Sequence, residues 1–201
     1  SALTTNTTGA SNIAIGVEAL DANTEGNRTI AIGHGAFGAL NHTSSTNNYG
    51  VAIGHNAGLS VTTGTINTLI GGLAGDAITT GNSNIALGYQ ALSADTTGDR
   101  STALGFQTLA NQNFTSNTDT YNTAVGYNAG VNVTTGLENT LIGGEAGDAL
   151  TDADFNVAVG RQALSADTLG SRSVAIGWGA LRVQNFTSAT NTYNTAVGMN
   201  A

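Results

Sequence analysis

Cysteine and proline are both absent from the 201 residues, and charged residues make up only 9%. Lack of cysteine excludes a disulfide framework and thiolate metal sites. Lack of proline leaves every backbone amide able to donate, as a stack of paired strands requires. An ordinary globular domain is about a quarter charged, so solubility here falls to Asn, Thr and Ser. Basic residues number 5 against 13 acidic ones, for a net charge of −8. That balance excludes the basic footprint that nucleic acid demands and electrostatic docking on anionic membranes. No apolar run reaches about 18 residues, so no membrane insertion is expected of this segment. The chain opens at Ser1 without Met and stops three residues past its last repeat glycine. With no polar cap visible, it reads as a piece of a longer array, or as one whose ends join neighbours.

What is present is one phrase, recurring from end to end. It reads NIAIGV at Asn12, TIAIGH at Thr29, GVAIGH at Gly50, NTLIGG at Asn67 and NIALGY at Asn84. It returns as STALGF at Ser101, NTAVGY at Asn122, NTLIGG at Asn139, NVAVGR at Asn156, SVAIGW at Ser173 and NTAVGM at Asn194. The phrase glycines, from Gly16 to Gly198, are separated by 17, 21, 17 and 17 residues, and this order recurs. Four coils therefore form a 72-residue block, with blocks at about 12–83, 84–155 and an incomplete 156–201. No linker interrupts them, so 1–201 reads as a single continuous array.

Counting from the phrase glycine as zero, position −1 is always Ile, Leu or Val, −2 is Ala or Leu, and −3 is Ile, Val or Thr. Such residues suit short strands. Seventeen residues are too few for a βαβ unit of about 30 but suffice for two short strands and two turns. Recurrent Thr at +8 and Gly at +10 supply the turns. A helical reading fails, because glycine would sit inside every helix at about 1 kcal/mol each. The fold class expected is all-β, a parallel β-solenoid (β-roll) with coils about 4.8 Å apart.

Successive strand residues face opposite sides. The expectation is that the −1 column (Ile15, Ile53, Leu104, Ile176) fills the lumen. The small Ala at −2 and +3 would then let another chain approach closely. A strand apolar on both faces is normally covered on both, so a homo-oligomer is expected, with a monomeric solenoid as the alternative.

The repeated Asn/Ser-x-Ala-Ile/Val-Gly phrase resembles the head repeat of trimeric autotransporter adhesins. The fuller forms YNTAVGYNAG and NIALGYQALSADTTG look still more like repeats of phage tail fibres and related bacterial fibre proteins. The resemblance implies a left-handed trimeric parallel β-roll that projects from a cell or virion and binds host or matrix.

The candidate contact surface is the long coil, with AFGALNHTSSTNNY, TLANQNFTSNTDTY and ALRVQNFTSATNTY. Its four extra residues should bulge outward on one side of the rod. Tyr49, Phe114, Tyr121, Phe186 and Tyr193 recur there among Asn and Thr, a mixture suited to a host-surface glycan or protein. The alternative is that the aromatics fold back over the groove. GGLAGDAI and GGEAGDAL, near Asp76 and Asp148, resemble a calcium-binding nonapeptide. They carry Ala instead of Gly at its fourth position and do not recur in consecutive coils, so a tight turn is the better reading. His34, His42 and His55 become Phe106, Phe114 and Tyr127 one block later, which argues against a metal or catalytic set. The Thr column at +8 could order water as ice-binding solenoids do, but reads as a turn. Asn-X-Ser/Thr sequons at Asn6, Asn27, Asn41, Asn113, Asn132 and Asn185 are what an Asn- and Thr-rich chain produces by chance. Neither catalytic residues nor a cofactor or metal are expected. The function expected is a non-enzymatic extracellular fibre segment at a cell surface or on a virion. A filament or sheath subunit that polymerises end to end is the alternative.

Overall fold

The computed structural model describes residues 1–201 and is a parallel β-solenoid with no helix. Eleven three-residue strands, from Ile13–Ile15 to Thr195–Val197, form one sheet in strict chain order. Each begins at −3 and ends at −1. Register advances by 17 residues across each short coil, as from Ile13 to Ile30, and by 21 across each long coil, as from Ile30 to Val51. The second strand of each coil is shorter than the sequence suggests. It survives only as two-residue pairs beside the long coils: Gly26–Asn27 with Thr46–Asn47, Gly98–Asp99 with Thr118–Asp119, and Gly170–Ser171 with Thr190–Asn191.

The inside and outside are the reverse of the sequence expectation. Ala31, Ala52, Ala86, Ala103, Ala124, Ala158 and Ala175, all at −2, are fully buried, and so are the +3 alanines from Ala19 to Ala180. The −1 column points out: Ile15 is 59% exposed and Ile176 39%, while Ile53 and Leu104 are half-buried. Lumen width is the reason. A coil this small has room for methyl groups where the strand faces inward, and the branched side chains go to the other face.

Lumen volume is conserved by exchange. Where −2 is Leu, position +4 is Gly in the same coil and the preceding one. A Cβ on Gly58 would come within 2.7 Å of Leu69 Cδ1, and one on Gly75 within 2.8 Å of Leu69 Cδ2. Gly130 and Gly147 stand in the same relation to Leu141, at 2.6 and 2.7 Å. Elsewhere +4 carries Leu20, Phe37, Leu92, Leu109 or Leu164, all fully buried, and Leu181 in the last full coil, which is half-buried. Close packing explains the swap, since an interior tolerates neither a void nor an extra methylene.

The phrase glycine is required by close approach. Gly126 has φ +133°, and a Cβ there would lie 2.6 Å from the carbonyl oxygen of Gly143 in the next coil. No other residue fits either the dihedral or the space.

A buried amide column locks the register. At −4, Asn84 Nδ2 donates to the Gly98 carbonyl at 2.8 Å, and its Oδ1 accepts from the Ser101 N–H at 2.8 Å. Asn12, Asn67, Asn122, Asn139 and Asn156 repeat both bonds. In the third coil the −4 residue is Gly50, and Asn48 takes over: its Oδ1 accepts from Gly50 N–H at 2.8 Å and its Nδ2 donates to Gly64 O at 2.9 Å.

The inverted faces give the first prediction. Ala103→Asp places a charge in the lumen and should cost about 3 kcal/mol or more, abolishing the β signal in circular dichroism. Leu104→Asp, one residue along, should retain it. The assignment of faces is wrong if Leu104→Asp unfolds the chain and Ala103→Asp does not.

Candidate functional site: the long coils and the outer face

The four extra residues of the long coil divide into three and one. Register runs from Thr24 against Asn41 to Gly26 against Thr46, leaving Thr43–Ser45 outside it. These three are exposed, as are Thr115–Asn117 and Thr187–Ala189. The fourth extra residue turns inward instead of bulging. Asn48 and Thr120 are fully buried and Thr192 is half-buried. Thr120 Oγ1 donates to the Asp99 carbonyl at 3.0 Å, so this residue stitches the coil to its neighbour.

The aromatic residues separate in the same way. Tyr49 and Tyr121 are each 54% exposed and Tyr193 is 70% exposed. Phe114 is only 7% exposed and Phe186 is half-buried. Phe114 therefore folds back over the interior and is removed from the contact surface, which leaves the three tyrosines and the exposed tips. His42, the equivalent of Phe114 in the first long coil, is also buried, and its ring meets Asn48 Nδ2 at 3.1 Å.

Beneath Phe114 lies a polar cluster that the sequence did not reveal. Asp95 is fully buried. Its Oδ2 accepts from Gln112 Nε2 at 2.6 Å, and its Oδ1 accepts from the N–H groups of Gly98 and Phe114, each at 3.1 Å. Gln112 Oε1 accepts from Asn122 Nδ2 at 2.9 Å, and Gln112 Nε2 also reaches Ser101 Oγ at 2.7 Å. The same bonds recur 72 residues on among Asp167, Gln184, Ser173 and Asn194. In the first long coil Asn23 stands where Asp95 does, and Leu40 replaces Gln112. Burial raises the Asp95 carboxyl above the usual range despite those donors. It raises Asp76 and Asp148 too, each of which has an Oδ1 without a hydrogen-bond partner. These two aspartates sit on different coils, and the structure does not bring them together. His34 and His55 stack at 5.4 Å on the outer face, whereas His42 turns inward. The three histidines therefore do not converge.

The turn threonines use their hydroxyls within the ladder. Thr62 Oγ1 donates to the Thr79 carbonyl at 3.2 Å, Thr79 to Thr96 at 3.0 Å and Thr151 to Thr168 at 3.1 Å. Such a column has little left with which to order water.

A further exposed feature, as long as the rod, is the outside of the long sheet. Columns −3 and −1 carry no charged residue. Ile13, Ile15, Ile85, Leu87, Ile142, Ile176 and Val197 are each at least 39% exposed. Column +1 flanks them with Val17, Trp178, Met199 and the stack of Tyr89, Phe106 and Tyr127, whose ring centroids are 5.6 and 5.4 Å apart. Eleven strands about 4.8 Å apart and three columns about 7 Å apart give a strip on the order of 700 Å², mostly apolar but interrupted by Thr at five −3 positions and by His34, His55 and Arg161 at +1.

No protein-family model matches the chain, and neither a curated protein nor a solved structure matches it. The class that the coordinates define is the β-solenoid repeat protein, consistent with β-roll repeats.

The buried carboxylate generates a pH prediction. Native Asp95 holds its proton more tightly than the unfolded chain does, so its ionisation opposes folding. Stability should rise as pH falls through the raised native pKa toward the ordinary aspartate value, and the gain is complete below that value. Thermal melts of Asp95→Asn should show a flatter pH dependence than the parent over this window. Superimposable pH profiles for the two proteins would contradict the assignment.

Proposed function

We propose that this chain is a segment of a non-enzymatic extracellular fibre, assembled as a homotrimer. It would form the shaft or adhesive head of a phage tail fibre or bacterial surface adhesin. The observation that carries the reading is the mostly apolar strip along the outer face, in which Arg161 is the one charged residue. The largest apolar patch on an ordinary monomer is about 300–600 Å², and a stable interface buries about 800 Å² per partner. A strip on the order of 700 Å², as long as the rod, fits further copies of the same rod lying alongside. The likeness of the phrase to autotransporter heads and tail fibres supports three copies and an address on a cell surface or virion.

The remaining faces fit projection and attachment. An in-register ladder gives a rod about 50 Å long whose length scales with coil number. Thr43–Ser45, Thr115–Asn117 and Thr187–Ala189, with Tyr49, Tyr121 and Tyr193, form a row of polar and aromatic contacts for a surface glycan or protein. Repeated weak sites at fixed spacing would reinforce one another.

Light scattering with electron microscopy tests assembly. The expected result is discrete rods of three times the 20.0 kDa chain mass. Ile85→Asp with Leu87→Asp should yield monomers that keep their β signal, because both side chains face out. A parent protein that is monomeric at every concentration would overturn the reading. Threads that lengthen with concentration would favour an end-to-end filament instead.

A further inference from the structure

The chain has no lysine, and its five basic residues are all arginine. Three of them occupy the same place. Arg28, Arg100 and Arg172 lie 72 residues apart at −5, each in the coil before a long one, and each is exposed. Position −5 of the following long coil is Tyr49, Tyr121 or Tyr193. All six residues have left-handed backbone, with φ between +50° and +67°. That conformation is unfavourable for bulky residues. Every coil adopts it at −5, so the turn holds these side chains in one outward column.

Each arginine meets an aromatic ring. The Arg28 guanidinium lies 5.6 Å from the Tyr49 ring centroid and donates from Nη1 to Tyr49 Oη at 3.1 Å. Arg100 lies 5.7 Å from the Tyr121 centroid. Arg172 turns the other way along the column, 4.5 Å from the Phe155 centroid, and donates from Nε to Asn191 Oδ1 at 3.0 Å. The third member differs among the copies. Asn47, Asp119 and Asn191 occupy one position in the three long coils. In the middle copy the Asp119 carboxylate pairs with Arg100, and Tyr121 Oη donates to Asp119 Oδ2 at 3.4 Å. Arg28 and Arg172 have no carboxylate partner.

We propose that Arg28 with Tyr49, and Arg172 with Phe155 and Asn191, bind the carboxylate of an acidic sugar, and that Asp119 fills the corresponding site at Arg100. The middle copy shows the same choice of groups: a carboxylate paired with the guanidinium, and a tyrosine hydroxyl on that carboxylate. A guanidinium recognises carboxylate through paired N–H donors, and the neighbouring ring offers a face for the sugar. Asn27, Ser45 and Asn47 add uncharged hydrogen-bonding groups beside the first site. The charge pattern selects a sugar bearing isolated carboxylates over nucleic acid or a polysulfate. Successive arginines of the column are about 19 Å apart, more than twice the screening length of about 8 Å. In a chain of net charge −8, each site therefore presents one positive charge. This proposal rests on the attachment reading above and names the ligand class for it.

The test measures binding of sialyllactose and of neutral lactose to the intact protein by titration calorimetry, with cell attachment measured in parallel. The parent should prefer sialyllactose by at least about tenfold, with about two sites per chain, through charge-assisted pairing. Arg28→Gln with Arg172→Gln should remove the preference while leaving the melting temperature in place, since both side chains are exposed. Asp119→Asn should open the middle site and raise the stoichiometry to about three, in line with the three equivalent arginine positions. Equal affinity for the two sugars, or a preference that survives the double substitution, overturns the proposal. If attachment to cells also survives in the double variant, the fibre reading stands and only the ligand class is wrong. If arginine-dependent sugar binding is found but no attachment, the ligand class stands and the adhesive reading fails.

Discussion

The structure depends on one constraint: each coil must lie on the next in register, within van der Waals contact of its backbone. At the phrase glycine the approach is so close that a Cβ on Gly126 would meet the next coil's carbonyl at 2.6 Å. Strand pairing alone would not hold this alignment, because the strands are three residues long. The buried Asn column does so. Each amide spans two backbone groups of the following coil, and leaving such groups unpaired costs about 1–3 kcal/mol each. Since a slip by one residue breaks both bonds at each of the six coils that carry them, the column converts weak strands into a single register.

From that constraint the rest of the cross-section follows. Coils stacked so tightly enclose a lumen with room for Ala at −2, one larger side chain at +4 and another at +7, such as Leu40, Ile78 or Leu150. The exchange of Ala and Leu against Leu and Gly around Leu69 and Leu141 keeps that volume constant. Branched residues excluded from the lumen must face out, and together they make the apolar strip. The interface proposed for other copies is thus a by-product of a narrow core. The long coils obey the same rule, sending three residues to the surface and using the fourth, Asn48 or Thr120, to satisfy the interior.

The period, the coil count and the turn positions were legible in the sequence, because a solenoid writes its geometry as spacing. The choice of inner face was not. Alternation separates −1 from −2 but does not say which is enclosed, and ranking Ile above Ala by hydrophobicity points the wrong way when space is the limit. The decisive signal was present in the pairing of Leu69 with Gly58 and Gly75, which marks −2 and +4 as neighbours in one confined volume. The long-coil aromatics were found by recurrence, but recurrence does not distinguish Phe114, which caps the Asp95 cluster, from Tyr121, which faces solvent. The arginine column is equally visible at −5, but its members belong to the coil before the bulge, so the spacing of the bulge alone does not point to them.

Hydrogen exchange at individual amides tests the central claim most directly. The N–H groups of Ser101, Asn139 and Asn156 donate to side-chain oxygens of the preceding coil, at 2.8, 2.9 and 3.0 Å. If the Asn column sets the register, these amides should exchange as slowly as the strand amides of Thr102, Thr140 and Val157, and all should open together in one cooperative unit. Fast exchange at these three positions, with protection confined to the strands, would show that strand pairing alone aligns the coils and would contradict the account.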